Sequence, residues 1–276
     1  MHLLFDIGGT HTRLALTQDG KKFGQPVIIK TPKKYGEAIK TIQFATEQIS
    51  RKKKLESAVG GVRGILDRKK GSIFDAHVLK NWSNKPLQKS LEKALGCEVI
   101  LENDSAIVGL GEAIYGSGRG KKIVAYYTIS TGVGGVRIVN GRIDKCSIGF
   151  EPGKQIIDFK NNKDIEDFLS GKAIEKKYHK KPYEITSLKF WDEMAKVLAY
   201  GLNNAIVHWS PDIFILGGSM MKKIGIPVPR VKYHLSKILE IYPRLPIIKK
   251  SALGDLGGLY GALALVKTKS GRYHSN

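Results

Sequence analysis

The stretch "LLFDIGGTHTRLALT", Leu3 to Thr17, decides how the rest of the chain reads. An apolar run, Leu3 to Asp6, ends in Gly8-Gly9, and a second run, Arg13 to Thr17, follows two threonines. Short apolar runs broken by Gly-Gly are strands joined by a tight turn. "QDGKK" turns the chain into a third strand at Val27 to Lys30, which completes a meander. Tyr35 to Ser50 then has helical spacing, with Ala38, Ile42, Ala45 and Ile49 on one face. "SAVGGV" and "SIFDAHV" read as strands, Pro86 to Leu95 as a helix, Glu98 to Leu101 as a strand and Asp104 to Ile114 as a helix.

The pattern then starts again. Lys122 to Ile129 is a strand, "STGVGG" a glycine turn, and Val136 to Val139 with Arg142 to Ile143 a hairpin around Asn140-Gly141. A long helix (Leu188 to His208), a strand (Ile213 to Leu216), the turn Gly217-Gly218 and a final helix (Leu259 to Val266) follow. Strands and glycine turns in similar order predict two related α/β lobes. We place the first at 1–106, completed by the C-terminal helix around 258–268, and the second at 107–257.

Bulk properties narrow the function classes. The chain has 276 residues, long enough to bury a real core. No apolar run approaches ~20 residues, so no membrane span is expected. The N-terminus reads as a strand and not as a signal peptide, and two cysteines, Cys97 and Cys146, make no disulfide framework. Together these point to a cytoplasmic protein. Lys plus Arg number 46 against 25 Asp plus Glu, a net charge of +21 that favours polyanions. The lysines are scattered, with no basic helix studded with aromatics and no zinc finger, so specific nucleic-acid binding is not expected.

The motifs carry the chemistry. In "DIGGTHTR" the glycines Gly8 and Gly9 let backbone N–H groups approach phosphate oxygens, and Thr10 and Thr12 add hydroxyl donors. Asp6 is placed to attract magnesium through water. The bland alternative is a glycine hairpin with a capping threonine. "ISTGVGG", with Thr131, Gly132 and Gly134, repeats the chemistry, and "LGG" with Gly217 and Gly218 is a third glycine turn after a buried strand. Neither G-x-G-x-x-G nor a G-x-x-x-x-G-K-[ST] loop is present. In "LENDS", Asn103 and Asp104 open a helix; either is a good N-cap. Alternatively Asp104 accepts a proton from a substrate hydroxyl, since phosphoryl transfer otherwise needs mainly positioning and charge neutralisation. In "GFEPGKQII" a turn separates Glu151 from Lys154, either a grip on a ligand or a charged surface turn.

The order "DIGGT", "LENDS", "STGVGG", "EPGK", "LGG" resembles the ROK family of sugar kinases, within the actin-like, hexokinase-like ATPases, from Asp6 to about Leu265. The resemblance implies two ribonuclease-H-like lobes with a cleft between them, ATP-Mg on the second lobe, and a hexose or N-acyl hexosamine as acceptor, at C6 in most of the family. It implies that Gly8, Gly9 and Thr10 form one phosphate loop, that Thr131, Gly132 and Gly134 form another, and that Gly217 and Gly218 lie on the adenosine side. Asp104 corresponds to the catalytic base, and Asn103, Glu151 and Glu166 to sugar contacts. Lys154 stands where the family's Glu-x-Gly-His motif has its histidine, and the zinc-binding cysteine cluster is missing, so no zinc site is expected. Two readings of Lys154 stay open: it donates to the sugar, or it pairs with Glu151 or Glu166 and holds the loop. The family's Pro-Asn-Leu segment aligns with His77, Val78 and Leu79, which removes a sugar contact.

The expected function is an ATP-dependent sugar kinase, with ATP and magnesium as cofactors and a small sugar and a nucleotide as partners. A homodimer is left open. The alternative is a catalytically altered ROK-like protein that binds sugar or nucleotide without turnover. A repressor of the family carries an N-terminal helix-turn-helix, for which a first phosphate strand at residue 3 leaves no room.

Overall fold

Alternation along the first strand sorts the helices onto two faces of a sheet. In this computed structural model, which describes residues 1–75 and 79–270, β1 (His2–Ile7) and β2 (His11–Thr17) form a hairpin that continues into β3 (Val27–Lys30). The chain then runs through α1 (Tyr35–Ser50), β4 (Ser57–Val62), a small hairpin of β5 (Ile65–Asp67) and β6 (Ser72–Asp75), α2 (Leu87–Leu95), β7 (Glu98–Asn103) and α3 (Asp104–Ile114). The sheet order is β3-β2-β1-β4-β7, with β1, β4 and β7 parallel. Leu3, Phe5 and Ile7 share a core with Ala38 and Ile42 of α1 and Leu87 and Leu91 of α2. Successive side chains of a strand point to opposite faces, so Asp6 turns the other way.

The second sheet repeats this order. It uses β8 (Ile123–Ile129), β9 (Val133–Val139) and β10 (Arg142–Ile143), then, after a small β11 (Ile156–Asp158) and β12 (Lys163–Asp164) hairpin, β13 (Ile213–Gly217) and β14 (Ile247–Lys250). Its order is β10-β9-β8-β13-β14, with β8, β13 and β14 parallel. Asn140 and Gly141 close the β9–β10 hairpin with φ of 50° and 71°, the paired positive values that favour Asn-Gly. The helices here are α4 (Glu166–Leu169), α5 (Gly171–Tyr178), α6 (Leu188–Trp209) and α7 (Val228–Leu235). Leu198 and Leu202 of α6 and Val231 and Leu235 of α7 bury against Tyr127, Ile129 and Phe214. The last helix, α8 (Gly257–Ser270), packs beside α3, β4 and β1.

Contacts divide the chain into one compact unit of Met1–Ile114, Cys146–Gly149 and Asp255–Asn276, and another of Tyr115–Lys145 and Phe150–Gly254. The expected boundary at 106/107 falls inside α3, which goes whole with the first unit because glycines seat it on α8. A Cβ on Gly261 would lie 1.8 Å from the Ile107 carbonyl oxygen, so only glycine permits this approach.

Other expectations move by a few residues. β9 begins at Val133, not Val136: Gly134 and Gly135 pair with Thr128 and Tyr127 in the ladder, so the "STGVGG" turn shortens to Ser130–Gly132. Pro86 precedes α2 as its N-cap. α5, α7 and β14 were not anticipated. His77 and Val78 lie outside the described residues, while Leu79 is buried in the first core. No helix among the described residues is long and apolar enough to cross a membrane.

Candidate active site

Parallel pairing brings the ends of β1, β4 and β7 to one edge of the first sheet. Asp6 pairs with Gly61, and Val62 with Asn103, so the Gly8–His11 turn, Arg63 and Asp104 gather there. Asn103 fills the N-cap of α3: its Oδ1 accepts from the N–H groups of Ser105 at 2.9 Å and Ala106 at 3.1 Å, and its Nδ2 donates to the Gly64 carbonyl at 3.0 Å. Asp104 Oδ1 accepts from its neighbour's Ser105 N–H at 2.9 Å. Burial pushes the Asp104 carboxyl above the usual carboxylate range, and the Arg63 guanidinium pulls part of the way back.

Asp6 is pushed up to about 7, first by burial and then by the negative charge of Asp104, against the opposing pull of Arg13. Asp255, whose carboxylate is 3.8 Å from the Arg13 guanidinium, adds to the rise. Asp6 is held in place by the start of α8: a Cβ on Gly258 would sit 2.6 Å from both its Cγ and its Oδ2. Two half-buried carboxylates held toward their neutral forms are a donor set that a hard dication would relieve, so Asp6 fits a magnesium held through water.

The first glycine turn is braced from β3 onward. The Gly8 N–H donates to the His11 carbonyl at 3.0 Å. Thr12 is buried and its hydroxyl meets that of Thr31 at 2.9 Å; Thr31 also donates to the Gly8 carbonyl at 2.9 Å. Thr10 is exposed. The Lys33 ammonium donates to the Gly9 carbonyl at 2.7 Å.

In the second unit the ends of the parallel neighbours β8 and β13 put Ser130–Gly132 beside Gly217–Ser219, with the Ser130 and Ser219 hydroxyls 3.0 Å apart. Gly218 has φ of +94°, and a Cβ there would lie 2.2 Å from the Ile129 carbonyl oxygen, so this turn requires glycine. Thr131 is exposed. Glu166, at the start of α4, receives the Val133 N–H at 3.3 Å on one oxygen and the Lys154 ammonium at 2.6 Å on the other. Asp164 lies 3.3 Å from the same ammonium, and these carboxylates, Glu166 foremost, raise the Lys154 pKa. Glu151 is exposed at the head of the Pro152–Lys154 turn. The Lys154 ammonium is thus paired with Glu166, as one of its two readings has it, and with Asp164, which neither reading named. Among the described residues, no three His, Cys, Asp or Glu side chains converge as metal ligands.

Sequence reasoning passed over Arg13, Lys33, Arg63, Asp164 and Asp255. Lys33, Arg63 and Asp164 lie outside the glycine motifs, Arg13 closes "DIGGTHTR" without having been given a role, and Asp255 stands just before Gly257-Gly258 at the start of α8.

The ROK family model matches residues 3–269. This chain belongs to the ROK family. An N-acetyl-D-glucosamine kinase of Mannheimia succiniciproducens is 28% identical over 302 residues, covering 96% of this chain and 99% of that protein. The fold is shared with a ROK hexokinase from Thermus thermophilus, at a TM-score of 0.80 and 23% identity over 97% of this chain and 99% of the other. It is shared too with a ROK family glucokinase from Streptomyces griseus in complex with glucose and AMPPNP, at a TM-score of 0.77 and 21% identity over 96% and 98%. The actin-like α/β fold class expected from the sequence is therefore the one this ROK protein has.

Proposed function

We propose that this protein is an ATP-dependent carbohydrate kinase that moves the γ-phosphoryl group to a hydroxyl of a hexose or N-acyl hexosamine. The observation that carries the reading is the half-buried pair Asp6 and Asp104 at one sheet edge, beside a glycine turn, in a ROK-family chain. Asp104 takes the acceptor hydroxyl proton as that oxygen attacks the γ-phosphorus; the bond from phosphorus to the β–γ bridging oxygen breaks, and ADP leaves. A base with a raised pKa both accepts the proton more willingly and works closer to neutral pH. Asp6 would hold magnesium through water, and the ion when bound neutralises phosphate charge. Backbone N–H groups of Gly9, Thr10, Thr131 and Gly132 are assigned to the phosphates, with Gly8 and Gly134 shaping the two turns because their own N–H groups face His11 and the β8 ladder, and Gly217 and Gly218 are assigned to the nucleoside side. Thr12 supports its turn from behind. Glu151 and Glu166 are assigned to sugar hydroxyls, with Lys154 acting on the sugar only through Glu166, and Asn103 chiefly orients the helix that presents Asp104.

A panel of hexoses and N-acyl hexosamines, assayed for ADP release with purified protein, tests the reading. Sugar-dependent ADP release above the ATPase background for at least one acceptor is expected. ATP binding with no such release from any of them would favour a non-catalytic binding protein.

A further inference from the structure

Lys33 differs from the other scattered lysines in where its ammonium is held. Past β3 the chain does not leave the first glycine turn but runs over it. The Thr31 N–H donates to the Thr10 carbonyl at 2.9 Å, and its hydroxyl to the Gly8 carbonyl at 2.9 Å. Pro32 fixes the next step, and Lys33 reaches back to the Gly9 carbonyl at 2.7 Å. The backbone of Lys33 is itself fixed: the indole N–H of Trp82, a fully buried side chain, donates to its carbonyl at 3.2 Å. Trp82 in turn meets the Tyr35 ring edge-on, with centroids 5.8 Å apart, and the Tyr35 hydroxyl donates to Ser90 at 2.8 Å.

A lysine free to extend into water keeps its rotamer entropy, so folding one onto a neutral carbonyl has a cost unless something else is gained. An ammonium has three donors, and one carbonyl occupies one of them. No carboxylate among the described residues lies within ion-pair distance of Lys33, in contrast to Lys34, which faces Glu37 at 3.6 Å. Beside it stand the exposed Thr10 and His11. The result is a positive charge without a counter-charge, held by a buried indole against a turn whose N–H groups suit an anion.

We infer that Lys33 is a further phosphate-binding residue: its ammonium meets the phosphate chain of the nucleotide at the Gly8–His11 turn. This rests on the kinase reading of that turn. Charge is its contribution, so it favours ATP over ADP, which carries one phosphate fewer.

The test is titration calorimetry of the purified full-length protein with ATP and with ADP, each without sugar, alongside thermal melts. Lys33→Gln keeps an amide donor for the Gly9 carbonyl but removes the charge; Lys33→Arg keeps the charge. Lys33→Gln is expected to weaken ATP about tenfold, the lower end for a charged hydrogen bond because the site is solvated. It should weaken ADP clearly less and leave the melting temperature near wild type, while Lys33→Arg recovers most of the ATP affinity. If Lys33→Gln binds ATP as the wild type does, or loses ATP and ADP equally together with thermal stability, the lysine is only a clamp and the inference falls while the kinase reading stands. If the wild type binds neither nucleotide, the kinase reading falls and takes this inference with it.

Discussion

Replacing Lys154 by alanine tests whether an ammonium holds the sugar-side loop together. Its Nζ is 2.6 Å from Glu166 and 3.3 Å from Asp164, and the lysine side chain is 55% exposed. In a water-like medium the two attractions come to about 1.6 and 1.3 kcal/mol. Ordering the lysine costs about 1.5–2 kcal/mol in return. The net loss is about 1 kcal/mol, at the upper end of measured exposed pairs because both carboxylates are partly buried. For a unit of this size that lowers the melting temperature by about 3 °C. At 1 M salt, where the Debye length is about 3 Å, at least half of the difference should vanish. The decisive measurement is a double-mutant cycle of Lys154→Ala with Glu166→Gln, followed by thermal or urea unfolding. Coupling of about 0.5–1 kcal/mol is expected, and the rise in sugar KM caused by Lys154→Ala should largely disappear in the Glu166→Gln background. Additive losses within about 0.3 kcal/mol, with a KM effect that persists without Glu166, would refute the brace and return Lys154 to direct sugar contact.

The remaining expectations concern the carboxylate edge and metal content. Asp104→Asn should lower kcat on the order of 10²–10⁴-fold with ATP affinity nearly unchanged; turnover close to wild type would remove Asp104 as the base. Asp6 has a folded pKa of about 7 against an unfolded value of 3.8, so its proton stabilises the fold fully below pH ~4 and that contribution is lost as pH rises through about 7. Melts from pH 5 to 8 should therefore fall less steeply in Asp6→Asn than in wild type, whereas parallel curves would contradict the raised pKa. Gly258→Ala should cost about 1–3 kcal/mol, the range for overpacking, and impair turnover by displacing Asp6; a fully active, equally stable variant would show that α8 does not hold that carboxylate. Metal analysis of the purified protein should find no stoichiometric zinc, and one zinc per chain surviving a chelator would point to ligands outside the motifs considered above.

Much of this was legible because it is local. Tyr35 to Ser50 and Asp104 to Ile114 end where the helical spacing ends, and Asn140-Gly141 marked its hairpin. The glycine turns announced themselves because apolar strands precede them. What escaped depends on partners distant in sequence. Nothing near Lys33 says that Trp82 will hold its carbonyl, and nothing near Lys154 chooses among Glu151, Asp164 and Glu166 as its partner. β14 was missed because "IIKK" at an edge, three of its residues not buried, has no apolar alternation to read. The split of "STGVGG" between turn and strand depends on where β8 stops pairing, which the glycines do not encode.

The position of Gly258 against Asp6 has a consequence for how the molecule comes into being on the ribosome. Asp6 is made well before α8, against which its carboxylate rests. Domains generally fold as units during synthesis, N-terminal first, and contacts between distant residues slow folding. Here the order is inverted. All but four residues of the stretch from Tyr115 to Gly254 belong to a unit that has its sheet and core before α8 emerges, whereas the earlier-made sheet waits for the helix that packs beside α3, β4 and β1. The part of the burial of Asp6 that Gly258 supplies, and with it part of its raised pKa, arrives only when α8 does.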